Sequence, residues 1–137
     1  MRRMSNLDFS GEVSTILSKE DIFNIREEIN KINMSDSLER YIIEIVFATR
    51  NPSEYGLEKE AEYIQFGASP RASINLNLAA KAVAFFDNRE FVLPEDIKEI
   101  ALDVLNHRII LNYEAEADGV KTQDIIKSIL DKIPISK

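Results

Sequence analysis

The sequence predicts an all-α protein, a compact bundle of five or six helices with at most one short two-stranded β element. Apolar residues recur at helical spacing in several segments, and residues that favour helix starts and ends bound those segments. With 137 residues, of which 45% are hydrophobic and 30% charged, the chain can bury one ordinary core. We therefore expect one helical domain.

The N-terminal end divides into an arm and a first helix. Residues 1–16 are polar and mixed, so we expect a flexible arm or the trimmed end of a longer chain. Residues 17–137 are then the folded domain. Ser18 is predicted to cap a helix over about residues 19–32, with Asp21 completing a capping box. The apolar face of this helix is Ile22, Ile25, Ile29 and Ile32.

A second helix and a connection follow. The helix is predicted between a cap at Ser35 or Asp36 and its end near Arg50, because Asn51-Pro52 restricts the preceding backbone. Residues 51–66 are acidic. We expect them to form an exposed connection with more conformational freedom than its flanks and a helical turn around residues 57–63.

The next helix is the most apolar segment of the chain. Ser69 is a good N-cap, and Pro70 fits the first helical position. Its two apolar stripes are Ile74, Leu78, Ala82 and Phe85, and beside them Leu76, Ala79, Val83 and Phe86. Two adjacent stripes predict a helix buried on most sides, at the centre of the bundle. Asn88 is predicted to end it in the left-handed conformation.

The C-terminal third is predicted to contain two more helices. Pro94 opens the first of them, and Thr122 caps the last. Between them, residues 109–113 are apolar and are expected to pair as a strand with Phe91-Val92. Residues 114–119 are predicted to form an acidic turn.

Arg71 is the principal candidate for a site. It falls in the first turn of its helix, where the positive end of the helix dipole opposes a cation by roughly 0.3–1 kcal/mol. An anion there would be stabilised by free backbone N–H groups and by the guanidinium, which binds phosphate as a fork. Ser69, Pro70 and Arg71 thus form a candidate anion site. Alternatively, Arg71 pairs with one of 24 acidic side chains or points into water.

Composition excludes several kinds of function. The net charge of -7 weighs against nucleic acid or an anionic membrane as the main partner. Without cysteine and with a single histidine, disulfides, thiolate metal sites and multi-histidine metal sites are excluded, and we expect no metal ligands. The chain has neither an apolar run long enough to span a membrane nor a signal peptide, so we expect a cytoplasmic location.

The usual catalytic patterns are absent. No G-x-x-x-x-G-K-[ST] motif exists, so this chain cannot hydrolyse a nucleotide by the P-loop mechanism alone. A G-x-S-x-G nucleophile motif is also missing. The acidic pairs Glu27-Glu28 and Glu95-Asp96 are interpreted as solvated helix faces or caps. His107 is expected to contact the last carbonyls of a helix.

Four stretches, taken together, resemble the C-terminal helical lid of the MoxR family of AAA+ ATPases. They are Tyr41-Ile42 through Ala48-Thr49-Arg50, Gly67-Ala68-Ser69-Pro70-Arg71-Ala72, Phe91-Val92-Leu93-Pro94-Glu95-Asp96, and Val104-Leu105-Asn106-His107-Arg108-Ile109. The resemblance covers about residues 17–134. The lid of the magnesium chelatase ATPase subunit is similar. Where the family usually has glycine before the arginine of the post-helix turn, this chain has Asn88 before Arg89.

The resemblance implies that Arg71 is the sensor 2 residue, which reaches the γ-phosphate of ATP on a preceding α/β core, while Ser69 and Pro70 set the helix start that aims it. ATP and Mg²⁺ would be held by that P-loop core, which is absent from this chain. The fragment alone is then no enzyme and needs no cofactor, whereas the parent protein is an ATPase.

The resemblance also implies a hexameric ring and a chaperone-like role in assembling or activating partner complexes, often with von Willebrand factor A-domain proteins. The alternative is a free-standing acidic helical interaction module with no nucleotide role, in which residues 51–66 contact a basic partner. A helical DNA-binding domain is disfavoured by the negative charge.

Overall fold

The computed structural model describes residues 14–135, so most of the predicted N-terminal arm lies outside the described residues. Over this range the chain forms seven α-helices, one 3₁₀ helix and one two-stranded sheet. They are α1 (Lys19–Lys31), α2 (Asp36–Arg50), the 3₁₀ helix (Pro52–Tyr55), α3 (Glu58–Tyr63), β1 (Ile64–Phe66), α4 (Arg71–Phe86), α5 (Pro94–Leu105), β2 (Ile110–Leu111), α6 (Tyr113–Ala117) and α7 (Thr122–Lys132). The predicted all-α class is confirmed, with one short helix more than expected.

The core lies between α2, α4, α5 and α7. Helix α4 packs chiefly against α5 and also touches α1 and α2, while α7 contacts both α2 and α5. The largest fully buried apolar side chains are Tyr41, Ile42, Ile45, Val46, Leu76, Ile97, Leu105, Ile126 and Ile129. No helix in the described range is long and apolar enough to cross a membrane.

Local signals predicted several of the helix ends correctly. The backbone N–H of Ser18 donates to Asp21 Oδ2 at 2.8 Å, and Ser18 Oγ accepts from the Asp21 N–H at 3.1 Å, which confirms the capping box. At α2, Ser35 rather than Asp36 is the cap. Asn88 has φ 55° and closes α4 in the left-handed conformation, as predicted.

Helix α1 buries less than its apolar face suggests. None of its own residues is buried, Ile25 and Ile29 are half-buried, and Ile22 is exposed. Only Ile32, just past its end, joins the core. Because α1 lies at the edge of the bundle and packs mainly on α4, most of its circumference has no neighbour among the described residues.

The prediction that α4 is buried on most sides is wrong. Ile74 is 62% exposed and Leu78 is 48% exposed, whereas the fully buried positions are Ala72, Leu76, Ala80 and Ala84. Small alanine side chains let neighbouring helices approach closely along one line. The apolar stripe that contains Ile74 and Leu78 therefore remains on the surface.

The predicted pairing of Phe91-Val92 with residues 109–113 is also wrong. β2 pairs antiparallel with β1, with Ile64 opposite Leu111. Phe91 instead forms a single parallel bridge with Asn33. The reason is α5, a 12-residue helix about 18 Å long that carries the chain from one end of the bundle to the other.

The connection over residues 51–66 is more regular than predicted. It folds into the 3₁₀ helix, α3 and β1, and buries Pro52 and Leu57. The helical turn expected around residues 57–63 is confirmed as α3. Residues 114–119, predicted as a turn, begin instead within α6, whose first turn is capped by the Asn112 side chain. Helix α7 begins at Thr122, and Lys121 rather than Thr122 holds its cap position.

Candidate functional site

The loop of residues 67–70, which joins β1 to α4, is anchored on the end of α2. The backbone N–H of Ala68 donates to Thr49 Oγ1 at 2.9 Å, and the Thr49 hydroxyl donates to the Val46 carbonyl at 2.6 Å. Both Thr49 and Ala68 are 0% exposed. Each polar atom in this contact therefore has a partner inside the core.

Arg50 adds a second attachment to the same residue. Its Nη1 atom donates to the Ala68 carbonyl at 3.4 Å, which is long for a hydrogen bond. Two consecutive residues at the end of α2 thus contact both backbone polar groups of Ala68. Sequence reasoning did not predict this contact, because its partners are far apart in the chain and share no periodic pattern.

Gly67 lies directly against the backbone of α2. A Cβ atom at this position would lie 2.2 Å from the Thr49 carbonyl oxygen and 2.8 Å from the Arg50 Cα. No side chain fits there, so glycine is required by the close approach of two backbones rather than by its φ angle.

Helix α4 begins one residue later than predicted, because Arg71 is its first residue and Pro70 holds the cap position that was expected for Ser69. Pro70 has helical dihedral angles, φ -55° and ψ -25°. The Ser69 carbonyl accepts from the Ala72 N–H at 2.8 Å. The Ser69 side chain makes no capping hydrogen bond, so the predicted side-chain cap is wrong. The tight main-chain turn satisfies a first-turn donor in its place.

Arg71 opens α4 with an exposed side chain. Among residues 14–135 it has no salt-bridge partner, since the ion pairs there involve Lys31 and Arg89. A cation at a helix start, without a neighbouring carboxylate in the described structure, can accept an anion from outside.

An apolar groove continues from Arg71 along the surface. Ile74 and Leu78 follow Arg71 by three and seven residues, so the three side chains share one face of α4. Ile43 of α2 faces them across a groove of about 300 Å³. The groove is lined by Glu39, Ile42, Ile43, Ser73, Ile74, Asn77 and Leu78. The candidate site therefore combines one cation with an exposed apolar surface.

The other acidic candidates have structural roles where the structure describes them. Glu28 pairs with Lys31 on the exposed face of α1, at 2.6 Å. Asp96 is buried and pairs with Arg89. No group of three or more His, Asp or Glu side chains among the described residues could hold a metal ion.

His107 does not take the role expected for it. The contact with the end of α5 comes from Arg108, whose Nε donates to the Val104 carbonyl at 2.8 Å. His107 is exposed beyond the last residue of that helix. A positive charge is favourable near a helix C-terminus, and the long side chain of Arg108 reaches the carbonyl.

Tyr55, the last residue of the 3₁₀ helix, has a hydroxyl group that is less acidic than usual. Burial, together with a hydrogen bond from the Tyr55 hydroxyl to Glu44, raises the pKa of Tyr55 to about 12. The pair joins the 3₁₀ helix to α2. It lies apart from any nucleophile or base arrangement, so it stabilises the connection and indicates no catalysis.

Comparison with known proteins identifies the class. The model of the AAA lid domain family matches residues 58–129, more than half of the chain, so the chain belongs to the AAA lid domain family. Within that class it is a lid of the MoxR type. It is 34% identical to chaperone MoxR1 of Mycobacterium tuberculosis over 90% of the chain, and 36% identical to protein MoxR of Paracoccus denitrificans over 74% of the chain.

A solved structure gives the same result. The whole chain superimposes on part of a crystal structure described as that of a candidate ATPase from Cytophaga hutchinsonii, with a TM-score of 0.90 and 65% sequence identity. The chain covers 42% of that structure. It spans about a third of the curated relatives, 33% of MoxR1 and 31% of the Paracoccus protein.

Proposed function

We propose that this domain is the nucleotide-sensing lid of a MoxR-type AAA+ ATPase, in which Arg71 acts as sensor 2. It works with a P-loop core that lies outside this chain and gives the parent protein its ATPase activity. The observation that carries the proposal is Arg71 itself, an exposed cation at the start of α4 with no salt-bridge partner among the described residues.

The chemistry of the position suits a phosphate. A guanidinium presents several N–H donors in a planar fork, and the start of α4 adds the positive end of a 16-residue helix. ATP, with Mg²⁺ held by the core, supplies the reacting phosphoanhydride. Arg71 would contact its terminal phosphate, while Pro70 and Ser69 set the turn from which the side chain projects.

The exposed apolar residues beside Arg71 support the proposal that the core covers this face of α4. Ile74 and Leu78 would lose contact with water if the core covered this face of α4, and each buried apolar side chain contributes a favourable free energy. The core would then contact the apolar face of α4, while the nucleotide that the core holds would contact Arg71. The orientation of the lid would therefore depend on the nucleotide.

The wider assembly follows from the same proposal. A lid angle that differs between the ATP and ADP states would pass through a ring of subunits, a hexamer, to a client protein. The role is chaperone-like, as the name of MoxR1 states for that protein. A von Willebrand factor A-domain protein is the proposed partner, and the cytoplasm the proposed location.

The test is ATP turnover by the full-length protein. Arg71→Ala should lower kcat by about 100-fold, the typical loss when a charge-stabilising donor is removed. Arg40→Ala, which removes an exposed arginine from α2, is the matched control and should leave kcat unchanged. Normal turnover in Arg71→Ala protein that folds as wild type would overturn the sensor assignment.

The isolated 137-residue chain offers an independent measurement. It should bind ATP weakly or undetectably in calorimetry, because one exposed charge contact in water contributes little net affinity. Tight and specific ATP binding by this chain alone would contradict a lid that depends on its core.

The alternative of a free-standing acidic interaction module has less support. It required residues 51–66 to be a flexible connection, but this segment folds into three regular elements and buries Pro52 and Leu57, although Glu54, Glu58 and Glu62 remain exposed. The family match and the position of Arg71 both favour the lid.

A further inference from the structure

We infer that Thr49, assisted by Arg50, is a positioning residue for Arg71: the end of α2 determines where the Arg71 side chain stands. This inference rests on the proposed sensor function of Arg71. It goes further, because it assigns a role to two residues that do not themselves contact nucleotide.

The first step is the direction of the Thr49 hydroxyl. Its hydrogen is donated to the Val46 carbonyl at 2.6 Å, so its lone pairs point away from α2. One of them accepts the Ala68 N–H at 2.9 Å. The hydroxyl therefore has one available orientation, and that orientation holds the loop. A side chain of the same shape without oxygen would leave a buried N–H unpaired.

The second step is the short distance along the chain from Ala68 to Arg71. Pro70 has its φ angle fixed by its ring, and the Ser69 carbonyl is hydrogen-bonded to the Ala72 N–H at 2.8 Å. With Gly67 pressed against the Thr49 carbonyl on the other side, the loop has little freedom between α2 and α4. Fixing Ala68 therefore fixes the start of α4.

The third step compares how strongly Thr49 and Arg50 hold Ala68. The Thr49 bond is shorter than the Arg50 bond, 2.9 Å against 3.4 Å, and it is fully buried. Thr49 therefore provides most of the restraint, and Arg50 limits the tilt of the Ala68 carbonyl.

The experiment uses four test variants and one control variant of the full-length protein in an ATPase assay. The test variants are Thr49→Val, Thr49→Ser, Arg71→Ala and the double variant Thr49→Val/Arg71→Ala. Small displacements of a positioned group lower the rate of the chemical step, so we expect Thr49→Val to lower kcat about tenfold. Thr49→Ser keeps the hydroxyl and should turn over ATP at the wild-type rate. Thr122→Val, at the start of α7, is the matched control and should be silent.

The double variant distinguishes positioning from general damage. If Thr49 acts through Arg71, the double variant turns over no more slowly than Arg71→Ala alone. Hydrogen exchange gives a second readout, in which the Ala68 amide should exchange at least about tenfold faster in Thr49→Val and at the wild-type rate in Thr49→Ser.

Each outcome either supports or overturns the positioning role of Thr49. Slow Arg71→Ala with normal Thr49→Val overturns the positioning role and leaves the sensor function standing. Additive losses in the double variant also overturn it, since Thr49 would then act by another route. Normal turnover in Arg71→Ala removes the sensor function and the positioning role together. A slow Thr49→Val, restored by serine and silent in the Arg71→Ala background, supports the inference.

Discussion

The guanidinium of Arg89 binds the carboxylate of Asp96 through two hydrogen bonds, from Nη2 to Oδ1 at 2.6 Å and from Nη1 to Oδ2 at 2.8 Å. The backbone N–H of Leu93 donates to the same carboxylate at 2.7 Å, and Asp96 is only 3% exposed. This pair closes the turn between α4 and α5, the two most extensively packed helices of the bundle. The exposed end of α4 is thereby tied to a buried group.

Stability should depend on the protonation of Asp96. Burial acts to raise the pKa of Asp96, but the hydrogen bonds from Arg89 and Leu93 outweigh it and hold the pKa below its usual 3.8. The charged form is thus favoured in the fold, so its contribution to stability is complete above pH 3.8 and is lost as the pH falls through the lowered pKa.

Urea unfolding at a series of pH values measures this contribution. Asp96→Asn should be less stable than wild type at neutral pH, and the difference should shrink as the pH falls below 3.8. Asp103→Asn, which changes an exposed carboxylate on α5, controls for loss of charge alone. A difference that is as large in acid as at neutral pH would contradict the ion pair.

Gly67→Ala should destabilise the fold more than a glycine substitution in open space. Its Cβ would lie 2.2 Å from the Thr49 carbonyl oxygen, and overpacking of this kind costs about 1–3 kcal/mol or more in the free energy of unfolding. Gly119→Ala is the control, because Gly119 has φ 69° but no atom near its Cβ position. It should lose only the left-handed strain, roughly 1–2 kcal/mol. An equal or smaller loss at Gly67 would count against the close approach.

Truncation of two leucines of α4 should change the stability of this isolated chain by very different amounts. Leu76 is fully buried, so Leu76→Ala should lower the free energy of unfolding by about 2–5 kcal/mol. Leu78 is 48% exposed, so Leu78→Ala should change it by no more than about 1 kcal/mol. Chemical denaturation of the two variants side by side checks the assignment of the surface stripe. Similar losses would mean that this face of α4 is covered.

Tyr41→Phe should leave stability unchanged or raise it by up to about 1 kcal/mol. Tyr41 is 1% exposed and its hydroxyl has no hydrogen-bond partner among the described residues, so removing the hydroxyl relieves an unsatisfied group. Thermal unfolding provides the measurement. Tyr55→Phe is the contrast, since it loses the bond to Glu44 and should be destabilised by about 1 kcal/mol. A larger loss at Tyr41 than at Tyr55 would refute the prediction.

The parts of the fold that sequence could predict depend on neighbours in the chain. The Ser18 cap involves a residue three positions away, and the closing turn at Asn88 depends on its own backbone preference. The position of Arg71 at the start of a helix followed from the proline before it. Such features need no knowledge of how the helices assemble.

The parts that sequence missed depend on contacts between distant segments. The periodicity of α4 shows two apolar stripes but not which of them meets α5, and Ile74 and Leu78 prove to be on the surface. Likewise, the sequence of an apolar strand does not reveal which strand it pairs with, and β2 pairs with β1 rather than with Phe91. In the site, the sequence presents Thr49 and Gly67 only as parts of the motifs that resemble the family, because nothing local shows that their backbones meet.

The small sheet bears on the order in which the chain assembles. Ile64 and Leu111 are separated by both α4 and α5, so pairing them closes a long loop at an entropic cost that only other contacts can offset. The α4–α5 hairpin is joined by residues 87–93, so its contacts close a much shorter loop at a lower entropic cost. We therefore expect the strand that leads into the Arg71 loop to pair late in folding, after α4 and α5 have met.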